Sequence, residues 1–449
     1  MQMRKRLAGA SLALLATLVA PGLVCAQTTD PPEPPEVRRP YRGLFGGPGG
    51  RAGSQSLGLS ASVYGAYDDN VYADQFGFAP VPGDLRQSGF YQGATAGLNY
   101  ARRGRRIGFG ADAGVGVNRY PGRSVLASYR GGANLSVPIK RYTSLSLSSS
   151  VSYSPEFRLG VFVDPNQPSN FQDPFSAVTP DLGVFGEPSF HTNSGVGVSR
   201  SFRRNGSLSG HYSLTTAHYR SSELDYSSQG VGARYSRGLS RYSSLRLGYS
   251  YGIGGYSRTE TEQRGIHTID AGVDYGRALS ISRRTHFSFS TGSALFYANQ
   301  SIEGILDYRL QFALLGSANL VHEMGRTWTA ALSYRRSVDF HEGFTEPFLA
   351  QAVSADVQGL LSRRLRFSAS SSYSRGLIGA RSADRFDSTS ANAGLQYGLT
   401  RYLAAYVNYV YYQYGFDTVV TIDPRFPQRL QRNGVRFGLS TAIPLIRAK

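Results

Sequence analysis

The chain has 449 residues, a formal net charge of +18 at pH 7 and 17% charged residues, with 53 Gly and 30 Tyr. Its positive charge is almost entirely arginine, and this Gly/Ser/aromatic composition favours strands over helices. One cysteine excludes a disulfide-stapled fold, and beyond residue 26 no apolar run approaches the ~18 residues of a transmembrane helix, so any membrane crossing is made by strands.

Arg4, Lys5 and Arg6 precede an apolar run from Leu7 to Ala20, and Val24-Cys25-Ala26 makes a small-residue exit before Gln27. This is the layout of a secretory signal peptide over residues 1–26, cleaved after Ala26. Val24 before Cys25, where lipidation usually wants Gly, Ala or Ser, argues against a lipoprotein. Removing three positive and no negative residues takes +18 to +15. Residues 27–55 carry PPEPPE, RRP and GGPGG, which bury little, and read as a flexible periplasmic extension. Its plain role is a spacer; the alternative is a docking segment for a periplasmic export partner.

From Ser56 onward, basic or polar turns recur at RRGRR (102–106), KRY (140–142), RRNG (203–206), SRY (240–242), SRRT (282–285), EMGR (323–326), SRRL (362–365) and TRY (400–402). Most stand about 40 residues apart, room for an up-strand, a connection and a down-strand of roughly 12 residues each, against the ~9–11 that cross a bilayer at a tilt. The Trp-Asp signature of a propeller is absent. Strand starts are expected near Ser56, Phe90, Ile107, Ala127, Thr143, His191, Ser207, Gln229, Ser243, Gly265, His286, Ile305, Arg326, Leu349, Leu365, Ser388, Leu403 and Gln431. The count predicts an all-β fold over 56–449, a transmembrane antiparallel up-and-down β-barrel of about 18 strands (about 16–18), with both termini periplasmic. The opposite connections are longer: 68–89, 155–190 and 415–430 stand out.

Alternation assigns faces. Leu57, Leu59, Ala61, Val63 and Tyr67 share one, as do Ile107, Phe109, Ala111, Ala113, Val115 and Val117; Leu145, Leu147, Val151 and Tyr153; and Trp328, Ala330, Leu332 and Tyr334. These sets tend to end in Tyr near the loop side, as an interfacial girdle does. The opposite face is Ser, Gly, Asn, Gln and charge, with Arg130, Arg234, Arg246, Arg309, Arg335, Arg366 and Arg436 against Asp112, Asp270, Asp274 and Asp356. An arginine facing lipid at the midplane costs about 2–4 kcal/mol, so these arginines are expected to line the pore. Acids collect in the loops: Asp68, Asp69, Asp74 and Asp84 in the first, and Glu156, Asp164, Asp173, Asp181 and Glu187 in the long one. Arginine alternating with apolar residues along strands, rather than gathered on one surface with stacking aromatics, argues against nucleic acid.

Tyr67-Asp68-Asp69-Asn70-Val71-Tyr72, after an amphipathic first strand and a Pro-rich leader, resembles the YDSNV-like opening of a family of uncharacterised outer-membrane β-barrel porins of Gram-negative bacteria. Some members stand beside exopolysaccharide genes, so the resemblance brings polysaccharide export into view. The chain ends Ile443-Pro444-Leu445-Ile446-Arg447-Ala448-Lys449, without the terminal aromatic of many outer-membrane barrels. Asp68, Asp69, Asn70 and Asp74 are oxygen ligands at short spacing, but they lack the Gly and distal Glu of an EF-hand and read as a solvated turn.

His211 and Ser213 stand two apart, as in an outer-membrane phospholipase, yet alternation points both into the lumen, and no matching Asn is evident. His341-Glu342 and His322-Glu323 lack the second His of a zinc-protease motif, because Thr345 and Arg326 occupy its position. No catalytic residue, metal site or cofactor is therefore expected, and the chain does not read as an enzyme. The leading reading is a porin-like outer-membrane channel passing small anionic solutes through an arginine-lined lumen. The alternative is a conduit for surface polysaccharide, and a third is a structural or adhesive barrel. Expected partners are outer-membrane lipid and lipopolysaccharide, the barrel-assembly machinery, and an export partner at residues 27–55.

Overall fold

The computed structural model describes residues 55–70, 88–104, 106–120, 125–158, 183–185, 187–202, 205–220, 225–256, 264–279, 284–302, 305–325, 327–339, 348–378, 385–416 and 429–448. The signal segment and the Pro-rich extension lie outside them. The strands are Gln55–Asp68 (β1), Gly89–Arg103 (β2), Gly108–Arg119 (β3), Val125–Lys140 (β4), Thr143–Ser154 (β5), the short pair Phe157–Arg158 (β6) and Gly183–Phe185 (β7), then Ser189–Phe202 (β8), Gly206–Tyr219 (β9) and Tyr226–Gly238 (β10). Ser243–Tyr256 (β11), Arg264–Ala278 (β12), Thr285–Ile302 (β13), Ile305–Met324 (β14), Trp328–Asp339 (β15), Phe348–Leu360 (β16), Leu365–Ile378 (β17), Arg385–Gly398 (β18), Leu403–Phe416 (β19) and Arg429–Ala448 (β20) follow.

Eighteen of these strands form one antiparallel sheet, in which each pairs with its sequence neighbours and β1 returns to pair with β20. The sheet is therefore a closed barrel, without a free edge. Expected and observed strand starts differ by at most three residues, at Tyr226 and Arg385. Only the β6–β7 hairpin, at the base of the long loop, had no counterpart in the sequence pattern.

Because directly opposed residues share a face, one exposed residue fixes the facing of a whole row. On β17, Tyr373 is outward, so Phe367, Ala369 and Ser371 are too, while Arg366, Ser368, Ser370, Ser372 and Ser374 face the lumen. The outer surface is an apolar belt that includes Leu98, Phe109, Val115, Val151, Val196, Leu247, Leu332, Val407 and Leu439, all exposed. Tyr67, Tyr129, Tyr334, Tyr373 and Tyr409 bring it to the expected aromatic girdle. An apolar belt of this extent is a lipid-facing surface.

Three of the short turns share one chemistry. Ser240, Ser362 and Thr400 each open a turn, and their hydroxyls accept the backbone N–H of Ser243 (3.0 Å), Leu365 (3.1 Å) and Leu403 (3.0 Å). Two other turns use the left-handed region, at Asn205 (φ 57°) and Gly325 (φ 67°). Near this end Trp328 lies over Gly359, where any side chain would collide with its ring, and donates from Nε1 to the Leu360 carbonyl (3.1 Å). At the closing seam, register shifts between Leu57 and Gly58, opposite Pro444. A bulge there accommodates a residue that cannot donate to the ladder.

Candidate functional site: the barrel lumen

The lumen wall changes character around its circumference. From β4 to β10 it is built of small hydroxyl residues: Ser144, Ser146, Ser148, Ser150 and Ser152 share the inward row of β5, opposite Asn134 and Ser136 on one side and Asn193 and Ser199 on the other. Ser144 and Ser199 bond each other (2.9 Å), and Ser146 donates to the Gly197 carbonyl (3.3 Å). Small residues here keep the wall thin and wettable. His211 and Ser213 lie on this lumen face of β9, opposite Gly232 and Gly230.

From β16 through β20 to β3 the loop-side half of the wall is aromatic. Phe348, Phe386, Tyr414 and Phe416 are buried and pack edge-on, tilted or stacked, with Phe386 and Phe416 centroids 5.0 Å apart. Tyr91 stacks on Tyr120 at 4.8 Å and meets Tyr64 edge-on at 6.4 Å. Tyr64 donates to Asn118 Oδ1 (2.6 Å). These rings project inward, so they fill part of the mouth rather than face lipid.

The register places Arg130, Arg234, Arg335 and Arg366 on lumen rows, the first three exposed and Arg366 half-buried, donating to Gln358 Oε1 (2.9 Å). Asp112 and Asp356 share that face. Arg246 is inward but buried, paired with Asp274, so its charge is neutralised within the wall. Arg436 is buried between Tyr64 and Tyr91, 5.4 and 5.9 Å from the ring centres, with Nε donating to Tyr91 Oη (3.1 Å). The side chains of Arg309 and Asp270 lie outside the described residues.

Arg432, the most enclosed arginine among the described residues, was not among the expected ones. It donates from Nε to Asp68 Oδ2 (2.6 Å) and from Nη1 to Tyr412 Oη (3.1 Å). Asp69 takes the Asn433 backbone N–H and Nδ2, both at 2.7 Å, and the Asp69 N–H returns to the Asn433 carbonyl (3.0 Å). Asn70 N–H bonds Asp68 Oδ1 (2.8 Å). The expectation of a solvated turn is therefore corrected for Asp68 and Asn70, which are buried. The motif ties the first strand to the last, and its carboxylates are engaged with β20. Asp74, Asp84, Asp164, Asp173 and Asp181 lie outside the described residues; Glu156 and Glu187, expected among the acids of the long loop, are buried at its base.

No protein-family model matches the chain, and no curated protein matches it. Solved structures do. OpdL of Pseudomonas aeruginosa aligns over 87% of this chain and 99% of its own, at 12% identity and a TM-score of 0.42. The FrpB iron transporter of Neisseria meningitidis aligns over 87% and 82%, at 8% and 0.45. The alcaligin outer-membrane receptor FauA of Bordetella pertussis aligns over 88% and 77%, at 12% and 0.38. The chain's own closed barrel and apolar belt make it a protein of the Gram-negative outer membrane.

Proposed function

We propose that the barrel is a passive outer-membrane channel whose lumen favours small anionic solutes. The observation that carries this reading is the sorting of charge on the inner wall. Besides the Arg246–Asp274 and Arg432–Asp68 pairs, the described charged side chains on the strands' lumen rows are Arg103, Arg130, Arg234, Arg335, Arg366 and Arg436 against Asp112, Glu323 and Asp356. Fixed positive charge on a narrow aqueous path concentrates anions and repels cations. The serine wall supplies hydroxyls that replace part of a solute's hydration without binding it tightly.

Planar-bilayer conductance tests both parts. Discrete channels are expected, with a reversal potential shifted towards that of the anion in a salt gradient. A folded preparation without conductance would remove the channel, and a cation-selective pore would remove the charge argument.

A second reading, export of an anionic surface polysaccharide, draws on the same hydroxyl wall and on the lumen column Tyr406, Tyr412, Tyr414 and Phe416 of β19. In that reading residues 27–55 meet a periplasmic export partner. Block of the conductance by acidic oligosaccharides, and not by neutral ones of equal length, favours it.

A further inference from the structure

The outer wall turns from apolar to basic within one step along β15–β17. Tyr334, Val353 and Tyr373 stand side by side on the outward rows, and the next outward residues towards the loops are Arg336, Gln351 and Arg375. The same row faces Gly316 on β14 and continues to Asp387 on β18. Residues two apart rise about 7 Å along a strand, so this row lies that far beyond the tyrosine girdle. The long connections mark this end as extracellular, which puts Arg336 and Arg375 at the headgroup level of the outer leaflet.

The two arginines differ in how they are held. Arg375 Nε stands 3.7 Å from Asp387 Oδ1, and Tyr373 Oη donates to the same oxygen (2.8 Å), which leaves the terminal nitrogens of Arg375 as spare donors. Arg336 is half-buried, with Nε buried and unbonded among the described residues. The outward rows of β14, β15 and β16 hold no acidic residue to serve it. Gln351, exposed, stands between the two arginines. On the membrane side of this row is the lipid-facing belt. On the loop side the next outward residues, Val338, Leu349 and Leu377, belong to an apolar cluster with Ile266, Ala294, Phe296 and Ala313. A cation with apolar surroundings on both sides is costly until an anion meets it.

Below the girdle the same strands carry a shallow depression. Ala355 stands opposite Ser371 and Val357 opposite Ala369, small side chains on neighbouring outward rows. Tyr334 and Tyr373 flank its upper end, and Trp328 and Phe367, ring centres 6.0 Å apart, close its lower end across Gly359. From Val353 to Gly359 the depression runs about 20 Å along β16. It is long and narrow enough for one extended acyl chain, and it begins directly beneath Gln351.

We propose that Arg336, Gln351 and Arg375 form a phosphate site for the phosphorylated saccharolipid of the outer leaflet, the lipid A part of lipopolysaccharide, with one acyl chain in the depression below. The two arginines share a face and stand about 10 Å apart across Gln351, so both guanidinium groups converge on one phosphate. A phosphomonoester carries about −1.5 to −2 at pH 7 and matches two cations. A phospholipid diester carries one negative charge and would leave one arginine uncompensated. The Gln351 amide donates between them. The site lies on the lipid side of the wall and does not depend on what the lumen passes.

Native mass spectrometry of the full chain, refolded in detergent, tests the site with three probes: bis-phosphorylated lipid A, the same lipid stripped of phosphate, and phosphatidylglycerol. The wild type retains one bis-phosphorylated lipid A per barrel in preference to the other two. Arg336→Gln with Arg375→Gln weakens that binding at least tenfold, and Ala355→Trp, which fills the depression, weakens it as well. Arg363→Gln with Arg364→Gln, in an exposed periplasmic turn, leaves it unchanged. Heat-modifiable gel mobility verifies that each variant is folded. A folded Arg336→Gln, Arg375→Gln variant that binds as tightly as wild type overturns the site. So does equal retention of the phosphate-free lipid, and equal retention of phosphatidylglycerol assigns the row to phospholipid instead.

Discussion

Arg432 and Asp68 offer the sharpest test of how the barrel closes. Their side chains are only 1 and 5% exposed, and the 2.6 Å bond between them joins the end of β1 to β20. Removing one partner leaves the other charged, buried and short of a bond, which costs about 3–5 kcal/mol. That is a loss of roughly 10²–10⁴ in the folded-to-unfolded ratio. Replacing both partners with leucine removes both desolvated charges at once, and such double replacements are often neutral or stabilising by about 1–4 kcal/mol. Arg432→Leu and Asp68→Leu are therefore each expected to be severely destabilised, and the double variant to recover most of the loss. The assay is urea-dependent folding into liposomes, followed by heat-modifiable mobility, with Arg363→Leu in an exposed turn as a control expected within about 0.5 kcal/mol of wild type. Singles within about 1 kcal/mol of wild type, or a double variant equal to the sum of the singles, would refute the clasp, since contacting residues must couple.

Neutralising Arg130, Arg234, Arg335 and Arg366 together, each to Gln, moves the reversal potential towards cations without loss of folded protein; an unchanged potential means those positions do not set selectivity. Ser148→Trp, on the inward row of β5, lowers single-channel conductance, whereas Leu147→Trp on the adjacent outward row leaves it unchanged, so equal effects would disprove the facing of that strand. Gly376→Val drives a side chain into the ring of the fully buried Phe348 and costs about 1–3 kcal/mol in the same urea titration.

Much of the barrel was legible because a strand with lipid on one side and water on the other must alternate, and because four of the short turns, SRY, SRRT, SRRL and TRY, carried Ser or Thr with arginine. Ser243, Leu365 and Leu403 begin strands where the pattern put them, and each is where a turn hydroxyl takes the backbone N–H. The lumen was legible as a face but not as a set of charges. Alternation places Arg246 inward and Asp274 inward; it does not say that the two meet across neighbouring strands. Still less does it show Asp68 meeting Arg432, 364 positions apart, since that contact exists only once the barrel has closed.

The same limit explains one apolar cluster, in which Ile266, Ala294, Phe296 and Ala313, on inward rows of β12–β14, pack with Val338, Leu349 and Leu377, on outward rows of β15–β17. Val338, Leu349 and Leu377 fall on outward rows and read as lipid-facing, and their apolar character agrees with that reading. Periodicity reports which way a side chain points, and what lies on that side is decided by whether the next strand stays in the cylinder. At β14 it does not, and the evidence in the sequence is indirect: β13 and β14 are 18 and 20 residues long, whereas their neighbours β12 and β15 have 15 and 12. A hairpin longer than the wall that flanks it has to go somewhere. Its lumen row changes from Ser290 and Ser317 to Phe296 and Leu315 as it rises, so water is no longer its preferred neighbour. An apolar inner row above a polar one is thus the sequence sign of a hairpin that has left the lumen.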